Sequence, residues 1–181
     1  MGAQTIEVRA EVRMLREARE GSERAFDALF GPLAEAAYRL ALAMLRDPGE
    51  AEDVVQEAAL KAWRKLGQLR PGHPVRPWFL AIVANQCRSV RRTRWWSTLR
   101  MSEPPAPAAA TEEAAIQHSD LRRAFRRLGA EDRLALYLFF SLDLPLPQAA
   151  AVMGLSVPAA RSRIYRALKR MRPGLELREA I

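Results

Sequence analysis

Cysteine is almost absent from this chain of 181 residues. Cys87 stands alone, so no intramolecular disulfide framework can form and a reducing compartment fits. Lying beside the apolar stripe of its helix, Cys87 reads as a small packing residue rather than a redox sensor. Histidine is nearly as scarce: His73 and His118 are the two, and neither accompanies the carboxylates at Glu50, Glu52, Asp53 and Glu57. A metal there would have oxygen ligands only, so no metal, no cofactor and no enzymatic cluster of nucleophile and base are expected. No run of 18 or more apolar residues is found, and the opening MGAQTIEVRAEVRMLRE has no continuous apolar core of the signal-peptide kind. The expectation is a soluble, cytoplasmic chain without direct membrane insertion.

The most informative absence is of acid. Between Glu57 and Glu103 there is none, while Lys61, Arg64, Lys65, Arg70, Arg76, Arg88, Arg91, Arg92, Arg94 and Arg100 are all basic. A helix face that is merely solvated mixes both signs, because opposite charges three or four residues apart support a helix. With a net charge of +8 and a pI near 10.7, the imbalance points to a polyanionic partner.

What is present is organised around the stretch from Trp78 to Trp96, WFLAIVANQCRSVRRTRWW. At about 100° per residue, one helix puts Phe79, Ile82, Val83 and Val90 on one face and Asn85, Arg88, Arg91 and Arg92 on the opposite one. Trp95 falls on the cationic side and adds flat surface on which an unpaired base could stack. That combination suggests nucleic acid.

Upstream, residues 5–20 form a short charged helix with Ile6, Val8, Val12 and Leu15 as its few apolar positions and no evident role. Ser22 offers an N-cap to a core-facing stripe running from Phe26 to Met44, and Pro32 predicts a kink or restart within it. Asp47 and Pro48 open the next helix, with Glu50 placed for a capping box. Its expected buried side is Val54, Val55, Ala58, Ala62, Trp63 and Leu66, while the acids of its first half complement the helix dipole. The proline- and glycine-rich GQLRPGHPVRP, from Gly67 to Pro77, is predicted to be a loop.

Residues 97–112, STLRMSEPPAPAAATE, have few large apolar residues and read as an extended linker, roughly 50 Å at full stretch. Beyond it Leu121, Ala124, Phe125 and Leu128 form a stripe that ends at Gly129, and the following segment is apolar on nearly every side from Leu134 to Leu142. The next run fits a helix-turn-helix: Pro147 starts the first helix, Gly154 permits the turn and Ser156 caps the second. Ala160, Ile164, Leu168 and Met171 would pack inward, leaving Arg161, Ser162, Arg166, Lys169 and Arg170 outside as in a major-groove recognition helix. The fold class expected is all-α, two small helical domains joined by an extended linker. The boundaries are an N-terminal extension over 1–21, a first domain over 22–96, a linker over 97–112 and a second domain over 113–181.

The succession AFDALF, DPGEAEDVVQEAALKAWRKL, WFLAIVANQCRSVRR, a proline-rich linker and LPQAAAVMGLSVPAARSRIYRALKRMR resembles bacterial RNA polymerase sigma factors of the extracytoplasmic-function (ECF) group over about residues 22–172. The resemblance implies that the two domains are sigma regions 2 and 4. It implies a protein without enzymatic activity that binds core RNA polymerase and directs promoter recognition, DNA melting and initiation. On the same basis Asp53, Gln56 and Glu57 would grip the beta-prime clamp, and the second domain would meet the beta flap. Trp78, Asn85, Arg88, Arg91 and Arg92 would serve the minus-ten element, with the loop from Pro71 to Pro77 setting its specificity. Arg161, Ser162, Tyr165 and Arg166 would read the minus-thirty-five element, although packing is an equal reading for Tyr165. An anti-sigma factor is the expected regulator. The chain departs from the family pattern at Gln86, Cys87 and Ala160, and in having LPQAAA where an acidic pair followed by isoleucine is common. The alternative reading is a stand-alone helix-turn-helix regulator that uses only the C-terminal motif.

Overall fold

Local side-chain chemistry sets the helix starts. The Ser22 hydroxyl accepts from the Ala25 N–H at 3.2 Å, and the Asp47 carboxylate accepts from the Glu50 N–H at 2.9 Å. In a computed structural model that describes residues 2–70, 72–100 and 119–171, α1 spans Gly2–Arg19, α2 Glu23–Phe30, α3 Ala34–Leu45, α4 Pro48–Lys65 and α5 Val75–Arg100. There follow α6 at Ser119–Arg127, α7 at Ala130–Leu136, α8 at Leu146–Met153 and α9 at Val157–Met171. No strand occurs among the described residues.

Pro32 breaks its helix as expected: α2 and α3 are separated by a 3-10 turn at Gly31–Leu33. The stretch Glu23–Leu45, with mean hydropathy 1.3, is long and apolar enough to cross a membrane, which counting uninterrupted apolar residues does not reveal. Here it is interrupted only by that turn, and Phe30, Leu40, Ala41 and Met44 pack into the core of the first helical unit. Phe79, Leu80 and Val83 from α5 and Val54 and Ala58 from α4 complete that core. The Phe30 ring stacks on Phe26 at 4.3 Å and meets Phe79 edge-on at 5.2 Å.

Several expectations are corrected. Helix α5 starts at Val75, inside the predicted loop, because Pro77 lies in the first helical turn, where no N–H is needed for the helix ladder. It also runs on to Arg100, so residues 97–100 are helical; 101–112 of the expected linker lie outside the described residues. Glu50 does not close a capping box: its carboxylate accepts from Arg94 Nη1 at 2.7 Å across the α4–α5 contact, a charged partner outcompeting a neutral N–H. Trp63 is 36% exposed at the edge of its stripe, touching Phe26 edge-on, rather than buried.

In the second unit, Leu134, Ala135, Leu136 and Leu138 are buried, but Phe139 and Phe140 are exposed where α7 widens into a π-helical turn at Tyr137–Ser141. Ala167 takes the inward place expected of Leu168, which is 39% exposed. The helix-turn-helix forms as anticipated. Gly154 adopts φ +69°, a left-handed conformation that lets α8 end and α9 begin three residues later under a Ser156 cap.

The two units touch. α5 packs on α8 and α3 on α7. Arg133, 7% exposed, is the main polar link: Nε donates to the Ala43 carbonyl, Nη2 to Met44 O at 3.0 Å and Nη1 to the Leu128 carbonyl. Ala43 and Met44 are the last-turn carbonyls of α3, which ends in a left-handed Arg46 at φ +63°. A guanidinium there satisfies orphan acceptors and meets the negative end of the helix dipole. Burial, reinforced by Arg46 and Arg91, lowers the Arg133 pKa to about 10.

Candidate nucleic-acid and partner interfaces

The cationic face of α5 is assembled much as its periodicity predicts. Asn85, Arg91 and Arg92 are exposed, and Trp95 is 65% exposed one turn further along. Over the ten residues from Asn85 to Trp95 the face runs about 15 Å, at 1.5 Å per residue. Arg88 Nη1 donates to Asn85 Oδ1 at 2.7 Å, so these two candidates are brought together. Trp78 is not brought to the open face: it is half-buried, its ring 6.2 Å from that of Phe30. Beneath the face lies Cys87, fully buried, whose thiol pKa is pushed up to about 12 by desolvation.

Arg88 is engaged by the other unit. Its Nε donates to Glu131 Oε1 at 3.0 Å and its Nη2 to Glu131 Oε2 at 2.9 Å, the parallel fork that guanidinium and carboxylate favour. A further bond runs from Nη2 to Met153 O at 3.2 Å, and Arg163 approaches the same Glu131 at 3.8 Å. The acid missing from the basic stretch is thus supplied from α7, more than forty residues away, which no local pattern discloses.

On α4, Asp53 and Gln56 are exposed and Glu57 is half-buried with Lys61 at 3.5 Å. Between these polar groups stands Leu60, 52% exposed, with Trp63 beyond it. Sequence reasoning missed Leu60, yet its place three and four residues after Glu57 and Gln56 put it on the acidic stripe from the start. An exposed apolar side chain with carboxylates on its N-terminal side and basic residues on its C-terminal side has the composition common in protein-docking faces.

On α9, Arg161, Ser162, Tyr165 and Arg166 are all exposed, Tyr165 at 68%, while Ala160, Ile164 and Ala167 are buried behind them. At that exposure Tyr165 is not a core packing residue, and its ring stands open to solvent on the same face as Arg161 and Arg166. Arg170 is held by the buried Asp132 and so belongs to the scaffold of the motif.

Between the units lies a cavity of about 900 Å³, its apolar wall including Leu42, Phe125, Leu136 and Phe140 and its rim Arg39 and Arg126.

Residues 29–97 match the family profile described as sigma-70 region 2, and residues 118–171 the profile described as sigma-70 region 4. Among curated relatives, the ECF RNA polymerase sigma factor SigM of Mycobacterium tuberculosis is 30% identical over 166 residues, covering 90% of this chain and 83% of SigM. The sigma-factor relative RfaY of Xanthomonas campestris pv. campestris is also 30% identical, over 84% of this chain, which spans 41% of RfaY's length. Among solved structures, CnrH of Cupriavidus metallidurans, in complex with the cytosolic domain of CnrY, superposes with a TM-score of 0.68 at 26% identity. That match covers 91% of this chain and 96% of CnrH.

Proposed function

The chain belongs to the sigma-70 family, in its extracytoplasmic-function group of RNA polymerase sigma factors, and from that premise we propose how its three exposed faces divide the work. As a sigma factor it directs RNA polymerase to promoters and is a DNA-binding initiation factor rather than a catalyst. Residues 22–96 and 113–181 act as its two functional domains. The compartment of RNA polymerase, the cytoplasm, is where it works.

Asp53, Gln56 and Glu57, centred on Leu60, dock on the beta-prime clamp of core polymerase, and the second domain meets the beta flap. Arg161, Ser162, Tyr165 and Arg166 enter the major groove at the minus-thirty-five element, where an arginine that bonds two acceptors of a guanine contributes roughly 1–3 kcal/mol of discrimination. Asn85 and Trp95 receive bases of the minus-ten strand while Arg88, Arg91 and Arg92 hold its phosphates. Taking a base from the stack costs a few kcal/mol, so the aromatic surface and the cationic face act on strands that polymerase has begun to open. Trp78, leaning on Phe30, supports this helix from the core side and meets DNA only at its exposed edge.

The observation that carries the reading is the pair of outward cationic helix faces, α5 and α9, on separate units, with an acidic and apolar face on α4. In the closed arrangement Arg88 is bound by Glu131, so engaging DNA exchanges one oxyanion for another, carboxylate for phosphate. CnrH is solved with the cytosolic domain of CnrY, and an anti-sigma factor is the corresponding partner proposed for this chain. The apolar, arginine-rimmed cavity between the units suits an acidic amphipathic segment of such a regulator. The stand-alone regulator is not favoured, since residues 29–97 match region 2.

A titration of labelled chain with core RNA polymerase at fixed salt tests this. Saturable one-to-one binding that Asp53→Arg weakens is the expected result; absence of binding rejects the reading.

A further inference from the structure

Helix α1 reads from sequence as a charged extension without a role. In the fold it lies against the first unit, with Leu15 and Ala18 buried. Two of its charged side chains reach across to the connection that leads from α4 into α5. Arg19 Nε donates to Leu66 O at 3.3 Å and Arg19 Nη2 to the Leu69 carbonyl, the start and the end of the 3-10 turn that closes α4. Glu11 Oε1 accepts from the Val75 N–H at 3.1 Å, the first residue of α5.

Each contact has the sign that the helix ends call for. A guanidinium meets carbonyls at a helix C-terminus, and a carboxylate meets a free N–H at a helix N-terminus. Glu11, Leu15 and Arg19 are spaced i, i+4, i+8, so a single stripe of α1 carries an apolar anchor between two opposite charges. The connection is therefore tied at both ends: Leu66, Leu69 and Val75 are buried, whereas Arg70, Gly72, His73 and Pro74 between them are exposed. Gly72, at φ +80°, and the bond from His73 N–H to Arg70 O at 3.1 Å turn this exposed tip.

We propose that α1 is a positioning element for minus-ten recognition: Glu11 and Arg19 hold the two ends of the 66–75 connection, so that its exposed tip meets the opened strand in a fixed register with α5. Neither residue touches DNA. The inference rests on the functional reading above, and its consequence is confined to one step. Loosening the connection impairs strand capture at the minus-ten element while core binding through α4 and upstream reading through α9 persist.

The test uses the full chain with core polymerase, on a promoter selected from genomic fragments with the wild-type protein. Core affinity, upstream-element protection and opening of the minus-ten region, followed by 2-aminopurine fluorescence, are measured for wild type, Glu11→Ala, Arg19→Ala, the double variant and Glu11→Gln. The double variant is expected to open duplex promoter about tenfold less, the equivalent of one charge-assisted hydrogen bond, with core affinity and upstream protection within about twofold of wild type. A template already mismatched at the minus-ten region should leave a residual defect in base preference. Glu11→Gln keeps an oxygen acceptor for Val75 and is expected to open more nearly as wild type than Glu11→Ala does. Equal opening by all variants, or a loss that follows core affinity in parallel, overturns the inference while leaving the sigma reading intact. Failure of the wild type itself to bind core overturns that reading, and this inference with it.

Discussion

Replacing Arg133 by methionine should open the two units while each stays folded. The side chain is 7% exposed, and two of its three carbonyl acceptors, Ala43 and Met44, lie across the boundary on α3. A hydrogen bond from a charged donor contributes roughly 1.5–3 kcal/mol, so the pair contributes roughly 3–6 kcal/mol before desolvation. Against this stands the cost of burying the guanidinium. A pKa of about 10 in place of 12.5 corresponds to about 3 kcal/mol at 1.36 kcal/mol per tenfold change in acidity. Methionine removes both terms but leaves the α3 carbonyls without donors whenever the units are closed, a penalty of roughly 1–3 kcal/mol each that water in the gap reduces. The net shift toward the open state is about 2–3 kcal/mol, or roughly 30- to 150-fold in the equilibrium. Energy transfer between dyes on Arg64→Cys and Lys169→Cys reads it directly, because Cys87 is buried with its thiol pushed up to about 12 and will not take the label. Arg127→Met, at an exposed position of α6, is the control. Identical transfer distributions for Arg133→Met and Arg127→Met would refute the reasoning.

Three further outcomes are expected. The Cys87 thiol keeps its proton in the fold up to about pH 12, whereas the unfolded chain loses it near 9, so stability should fall as pH rises through that window. The full loss is on the order of 4 kcal/mol, and Cys87→Ala should flatten the difference between urea midpoints at about pH 8 and about pH 11. Asp53→Arg, at an exposed position of α4, should weaken core binding in a competition assay with the melting temperature nearly unchanged; undiminished competition would remove the docking role of that face. Substituting both Arg161 and Arg166 by alanine should cost roughly 1–3 kcal/mol of upstream-element discrimination for each lost guanine pair, seen as a flattened preference among upstream variants in a promoter pull-down.

What could be read from the sequence was local. Ser22, Asp47 and Ser156 cap the helices they precede, Pro32 breaks its helix and Gly154 turns the chain, because each acts on backbone within four residues of itself. The faces of α5 and α9 followed from periodicity for the same reason. Contacts that join distant segments were not legible. Arg133 looks like any other arginine until α3 delivers two bare carbonyls to it, and Glu131 gives no sign of pairing with Arg88. Glu50 had a plausible neutral partner nearby and took a charged one from α5. The buried stripe was right at its centre and wrong at its margins, where Trp63 and Leu168 stand: periodicity fixes a direction, and only packing decides how far the cover extends. Helix α1 shows the same limit, since the positions of Glu11 and Arg19 matter only once the 66–75 connection is folded beneath them.

The central claim is promoter selection, and the most direct measurement of it is start-site mapping on a genomic fragment library transcribed by core RNA polymerase with and without the chain, at one fixed salt concentration because phosphate contacts make affinity steeply salt-dependent. The account predicts new start sites, absent with core alone, that share two sequence elements at a constant separation, with the upstream element losing its influence in the Arg161 and Arg166 double variant. Start sites no different from those of core alone would contradict it, above all if the chain by itself protected specific duplex DNA.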